Sequence, residues 1–171
     1  MEDNYEILED QFPRKRKNSK VKGNSFERKV CKILNEHFQT NEFCRSPGSG
    51  AFANTHNLPA QFRVYGDLLV PEKFNYSIEV KKGYNEIKVS DIFDKKSKLW
   101  MFIRQSKSDA NKANKKWIVI WQQDRTKTMC ICDRNDFSYI EEKDRLNYDE
   151  FSIILLDLVL HQVPKTEFYT K

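Results

Sequence analysis

Two carboxylates and an amine sit close together along the chain, Asp67 in Val64-Tyr65-Gly66-Asp67-Leu68-Leu69-Val70 and Glu79 with Lys81 in Ile78-Glu79-Val80-Lys81. Both segments read as strands, joined by a short turn containing Pro71-Glu72-Lys73. With the turn centred near Lys73, Asp67 and Glu79 lie equally far from the centre and oppose each other, their Cβ atoms about 5 Å apart. Period-two alternation puts Tyr76, Ile78 and Val80 on one face and Ser77, Glu79 and Lys81 on the other. Opposed like charges destabilise a hairpin unless something positive lies between them. A divalent cation would answer, since hard oxygen ligands suit Mg²⁺ or Mn²⁺. Lys81 alone would also answer, as part of a plain lysine–carboxylate cluster on an exposed sheet face.

A third carboxylate is placed by helical periodicity. Phe26, Val30, Ile33, Leu34 and Phe38 form one apolar stripe, and at about 100° per residue Glu27 falls on it, whereas Arg28, Lys29, Lys32 and Asn35 point away. An unpaired buried charge is expensive, so Glu27 requires a cation, a metal or a metal's bound water. The plain alternative is a first-turn glutamate favoured by the helix dipole. His37 shares the stripe and reads as a satisfied core histidine rather than a ligand.

These side chains need elements to hold them. Helical order is expected to begin after Gly23-Asn24-Ser25, with Asn24 or Ser25 as cap. Residues 41–63 are irregular, and Ser46-Pro47-Gly48-Ser49-Gly50 is either a simple turn or a loop whose backbone N–H groups approach a phosphate. A helix is expected from Ile92 to about Asn114, with Leu99, Phe102, Ile103 and Ser106 on one side and a separate turn possible at Ser97-Lys98. Strands are expected over Trp117–Trp121 and Thr128–Cys132, across a turn at 124–127. The fold class is therefore α/β, a central mixed sheet of at least four strands flanked by helices. Phe151 to Leu160 reads as a buried helix or a partner-binding surface, with the helix preferred.

At 171 residues with 39% hydrophobic and 13% aromatic content, the chain can build one core, which excludes wholesale disorder. No apolar run approaches the roughly 18 residues of a spanning helix, and the acidic start Met1-Glu2-Asp3 does not read as a secretion leader, so no membrane partner is expected. Cys31, Cys44, Cys130 and Cys132 contain no CxxC pair, and His37, His56 and His161 lie far from them; reduced thiols and an intracellular location, cytoplasmic or nucleoid-associated, are expected. Residues 1–13 hold five acids and no base, and 14–32 hold nine bases and one acid. The basic stretch is either a mobile arm for a phosphate-rich partner or a solvated tail or import-like address. The expected division is an arm over 1–22, one domain over 23–163 and a tail over 164–171.

Taken together, Lys22-Gly23-Asn24-Ser25-Phe26-Glu27-Arg28, Cys44-Arg45-Ser46-Pro47-Gly48-Ser49-Gly50, Gly66-Asp67 and Ile78-Glu79-Val80-Lys81 resemble the PD-(D/E)xK nucleases, especially the archaeal-type Holliday junction resolvases and their viral relatives, over about residues 22–82. The resemblance implies a restriction-endonuclease-like core and a Mg²⁺ cofactor, with Mn²⁺ able to substitute. It implies Asp67 and Glu79 as metal-binding acids with the Val80 backbone carbonyl, Glu27 holding metal or water, and Lys81 orienting or activating the attacking water or stabilising transition-state charge. It implies DNA as partner, four-way junctions foremost, and a homodimer to match their two-fold character. DNA contacts are expected from Arg14, Lys15, Arg16, Lys17, Lys20 and Lys22, and from Arg45, Ser46, Ser49 and Lys82. Gly66 stands where the motif's proline would be, and the insertion over 51–63 is longer than the resolvase pattern.

Phosphodiester hydrolysis needs a nucleophilic water, positive charge at the phosphate and help for the leaving oxygen. The acids with a divalent ion, Lys81, and the donor fork of Arg45 can meet those needs. No GxSxG elbow, Walker-type loop or HExxH pair supports another hydrolytic mechanism. Two alternatives remain: a repair, restriction or end-processing nuclease with the same centre, and a nucleic-acid-binding module without cleavage, against which the joint presence of Glu27, Asp67, Glu79 and Lys81 argues.

Overall fold

The computed structural model describes residues 19–46 and 65–170. Helix α1 (Ser19–Phe38) buries the expected stripe, with Phe26, Val30 and Leu34 inward and Arg28, Lys29 and Lys32 in solvent. It begins earlier than the expected caps. Asn24 lies within the helix, its side-chain oxygen accepting from Arg45, so Lys20 and Lys22 are helical and not part of a separate arm. Arg14, Lys15, Arg16 and Lys17 lie outside the described residues.

Gln39, at φ +56°, turns the chain out of α1. Asn35 then grips Phe43 at both ends of its amide side chain, Nδ2 donating to the Phe43 carbonyl (2.8 Å) and Oδ1 accepting from the Phe43 N–H (3.0 Å). Asn35 is thus half-buried and functional in packing, not a solvent-facing residue. The grip launches β1 (Cys44–Arg45), which pairs antiparallel with β2 (Leu68–Leu69).

The main sheet has the order β3-β4-β5-β7-β6. Strand β3 (Tyr76–Lys82) runs parallel to β4 (Lys116–Gln122), and α2 (Lys98–Ala113) connects them. The helix expected from Ile92 begins only at Lys98, with Ser97 as its N-cap, so Ser97-Lys98 opens α2 and is not a separate turn; a 3-10 turn over Val89–Ile92 precedes it. Strands β5 (Met129–Asp133), β6 (Arg145–Tyr148) and β7 (Phe151–Leu155) complete the sheet with antiparallel pairings. Central β4 is apolar on both sides because both sides are covered. Ile118 and Ile120 pack toward α1 and α3 (Leu156–Gln162), and Trp117, Val119 and Trp121 pack toward α2.

Two expectations are corrected here. The apolar run from Phe151 to Leu160 is neither one helix nor an exposed surface: its first half is β7 and its second half begins α3. Residues 164–170 do not stand apart as a tail. Phe168 is buried, its carbonyl accepts from the Asn75 N–H (2.7 Å), and Tyr169 bridges Phe74. No helix among the described residues is long and apolar enough to cross a membrane, and all four cysteines are free thiols, Cys44 alone exposed.

Candidate active site

Strand β3 forms one edge of the main sheet, and the segment entering β2 lies along it. The Asp67 N–H donates to the Ile78 carbonyl (2.9 Å), and Asp67 Oδ2 accepts from the Val80 N–H (2.8 Å). The expected hairpin, with Asp67 opposite Glu79, does not form: Asp67 meets β3 at Ile78 and Val80, and β2 spends its ladder on β1. Gly66 makes the approach possible. It adopts φ +87°, and a Cβ there would lie 2.7 Å from the Ile78 carbonyl oxygen, so no side chain fits. A strand residue directs its N–H and C=O to the same neighbour, so the Val80 carbonyl faces the same outer edge as Asp67.

Alternation along β3 sends Glu79 and Lys81 toward α2. The Lys81 ammonium donates to Glu79 Oε1 and to Gln105 Oε1 (3.3 Å) on α2, and lies 5.4 Å from the centre of the Phe102 ring. Glu79 is only 2% exposed. Glu27 approaches from the opposite face on α1, 8% exposed, and takes its hydrogen bond from Arg45 Nε, while Arg45 Nη2 donates to Asn24 (3.0 Å). Of the partners left open for this buried glutamate, the structure supplies the cation. A cleft of about 690 Å³ straddles the β3 edge and is lined by Glu27, Asp67 and Lys81, with Lys20, Lys22 and Lys82 on its walls.

The electrostatics follow from one ammonium serving two buried carboxylates. Burial and the neighbouring Asp67 push Glu79 up to about 7, against the opposing pull of Lys81. Burial raises Asp67 as well, and Glu27 adds to that, while the Val80 N–H and Lys81 pull it down. Burial alone would lower Lys81, but Glu79 and Asp67 outweigh it and leave its pKa raised. The ammonium therefore stays charged, and the second carboxylate is the group that resists ionising.

The donor set suits a hard divalent ion. Excess negative charge at the β3 edge, two carboxylates and an outward backbone carbonyl match the way Mg²⁺ binds, through one or two carboxylates with water and substrate phosphate filling the rest. Among the described residues no three His, Cys, Asp or Glu side chains stand close enough to cage a metal by themselves.

Several of the residues expected to contact DNA have partners within the protein. Ser46 is buried and its N–H donates to the Asp67 carbonyl (2.9 Å), so it fastens the Asp67 segment. Lys82 points to the other side from Lys81, its ammonium donating to Gln122 and Gln123 and pairing with Asp124 (3.4 Å). Lys22 meets the same Asp124 (3.7 Å). Ser49 lies outside the described residues. His37 is half-buried and its Nε2 is buried without a hydrogen-bond partner among the described residues, so it is not the satisfied core histidine expected. Sequence reading missed Asn24, Gln105 and Asp124. The first passed as a cap, the second as an ordinary helix residue and the third as a turn residue, because each acts through contacts distant in sequence.

A mixed sheet with Glu-x-Lys on its edge strand, an aspartate fastened to that edge and a buried helix glutamate in the same cleft is the arrangement of the PD-(D/E)xK nucleases, on a restriction-endonuclease-like α/β fold. Over residues 18–167 the chain matches the family described as "Phage putative PDDEXK endonuclease", and it belongs to that family. No curated protein and no solved structure matches it. Membership bears out the nuclease reading of the sequence and makes DNA the expected substrate, and nucleases of this class generally use divalent metals.

Proposed function

We propose that the chain is a Mg²⁺-dependent DNA endonuclease acting on branched DNA, a four-way junction foremost. The observation that carries this reading is the meeting of Asp67, Glu79 and Lys81 at one sheet edge, with Glu27 lining the same cleft. Asp67, Glu79 and the Val80 carbonyl would hold the ion, with Glu27 reaching it through water. The ion, when bound, supplies Lewis-acid charge for the scissile phosphate and its attacking water. Lys81, charged and braced by Glu79 and Gln105, orients that water or offsets charge growing on the phosphate oxygens. Glu79, whose carboxyl is pushed up by burial and by Asp67, would be held ionised by a cation at this edge. Lys22 pairs with Asp124 (3.7 Å) on the wall of the same cleft, and the described first turn of α1 holds no acid, so a DNA phosphate would meet the positive end of the helix dipole there.

Branched substrate and pairing of two copies come from the likeness to the resolvases and from the two-fold character of a junction. The test is cleavage of a four-way junction, a flap, a linear duplex and an RNA at equal concentration with Mg²⁺. The junction should be cut best, and Asp67→Asn should lose cleavage by on the order of 10²–10³-fold while still binding. Equal activity on the duplex would remove the resolvase reading. Binding without cleavage of any nucleic acid by the wild type would leave a binding module. Sedimentation of the junction complex should show two copies per junction.

A further inference from the structure

We propose that Tyr84 is a one-base stacking platform that selects DNA carrying an unstacked base beside the scissile phosphate. This rests on the nuclease reading above and deepens it by naming what feature of branched DNA the cleft reads. Tyr84 follows β3 after Gly83, three residues beyond Lys81, and among the described residues lining the cleft it is the one aromatic. Its backbone adopts φ +56°, next to Gly83 at φ +87°, a conformation bulky side chains rarely take. Neighbouring groups hold it there. The Gly83 N–H donates to the Gln122 carbonyl (2.9 Å), Trp121 Nε1 donates to the Gly83 carbonyl (3.2 Å), and Gln123 Nε2 donates to the Tyr84 carbonyl (3.2 Å).

The ring is fixed as firmly as the backbone. Its centre lies 4.8 Å from that of Phe102 at 69°, and the same Phe102 ring supports the Lys81 ammonium from 5.4 Å. Tyr84 nevertheless stays 38% exposed, and its hydroxyl makes no hydrogen bond among the described residues. What a buttressed, exposed ring with an idle hydroxyl offers is surface for stacking. The Lys98 ammonium lies 5.8 Å from the ring centre and is already paired with Glu86 (2.6 Å). A base inside a duplex has both faces covered, whereas a base at a branch point, flap or bulge has one free, so a single ring beside the reacting amine discriminates by shape without reading sequence.

The experiment uses the full chain without metal and two DNA probes of the same sequence, one with an unpaired 2-aminopurine and one fully paired. Wild type should bind the unpaired probe more tightly and quench its fluorescence. Tyr84→Phe and Tyr84→Trp should keep both properties. Tyr84→Leu, which retains apolar packing on Phe102, and Tyr84→Ala should lose the quenching and weaken binding of the unpaired probe by roughly 5- to 100-fold, with affinity for paired DNA within about twofold of wild type. Retained quenching and preference in the Leu and Ala variants would overturn the assignment, as would loss in Phe equal to that in Ala. If wild type bound neither probe, the nuclease reading would fall and this one with it. If wild type cleaved DNA but bound the two probes alike, only the role of Tyr84 would fall.

Discussion

Glu79 is buried in a cluster with one more negative charge than its lysine neutralises, and that imbalance is measurable. Its carboxyl titrates near 4.5 when free and about 7 in the folded chain. Between those values the folded protein holds a proton that the unfolded chain has released, so stability is full below about 4.5 and is lost as pH rises through about 7. Urea unfolding of the metal-free protein should show stability falling by on the order of 2–3 kcal/mol from about pH 5 to pH 8, and Glu79→Gln should flatten this slope. A flat wild-type profile would show that the two carboxylates are not in competition. Glu79 and Lys81 were legible in the sequence because strand alternation encodes their shared side locally; Asp67 was singled out, but its hold on β3 through Ile78 and Val80 differs from the expected hairpin register. The Arg45–Glu27 contact was not legible, since it depends on Asn35 gripping Phe43, a side-chain-to-backbone pairing that no periodicity records.

At the scale of elements, the site depends on how one short segment is pressed against β3. Gly66→Ala would force a left-handed residue into contact with the Ile78 carbonyl, and we expect a loss of about 1–3 kcal/mol in urea unfolding, with cleavage falling further than the loss of folded protein explains, because Asp67 is displaced. Unchanged stability and activity would mean that the segment has slack. The strands of the sheet were readable where their apolar runs stood alone, as in Trp117–Trp121. The run from Phe151 to Leu160 defeated the pattern for a physical reason. A strand buried on both faces and a short helix behind it are each continuously apolar, so the junction at Leu155–Leu156 leaves no change of composition.

Across the whole molecule, the last described residues close the fold over α1 and the start of β3. Phe168 packs against Phe38, Phe74 and Tyr76, which makes the C-terminal aromatics part of the core. Phe168→Ala should cost about 3–5 kcal/mol, read as a lowered urea midpoint; a midpoint shift worth less than about 1 kcal/mol would mean that these rings close nothing. Two adjacent aromatics among the final residues were the available signal, and the surrounding charges hid them. The way Asp67 meets β3 has a consequence for handling the protein. An outermost strand exposes unsatisfied amides that recruit strands from other chains, and here a carboxylate oxygen stoppers the amide of Val80. Replacing Asp67 by alanine would unstopper that rim and invite self-association, whereas asparagine keeps an oxygen in place; an inactive protein that stays monodisperse in the absence of DNA therefore calls for the amide.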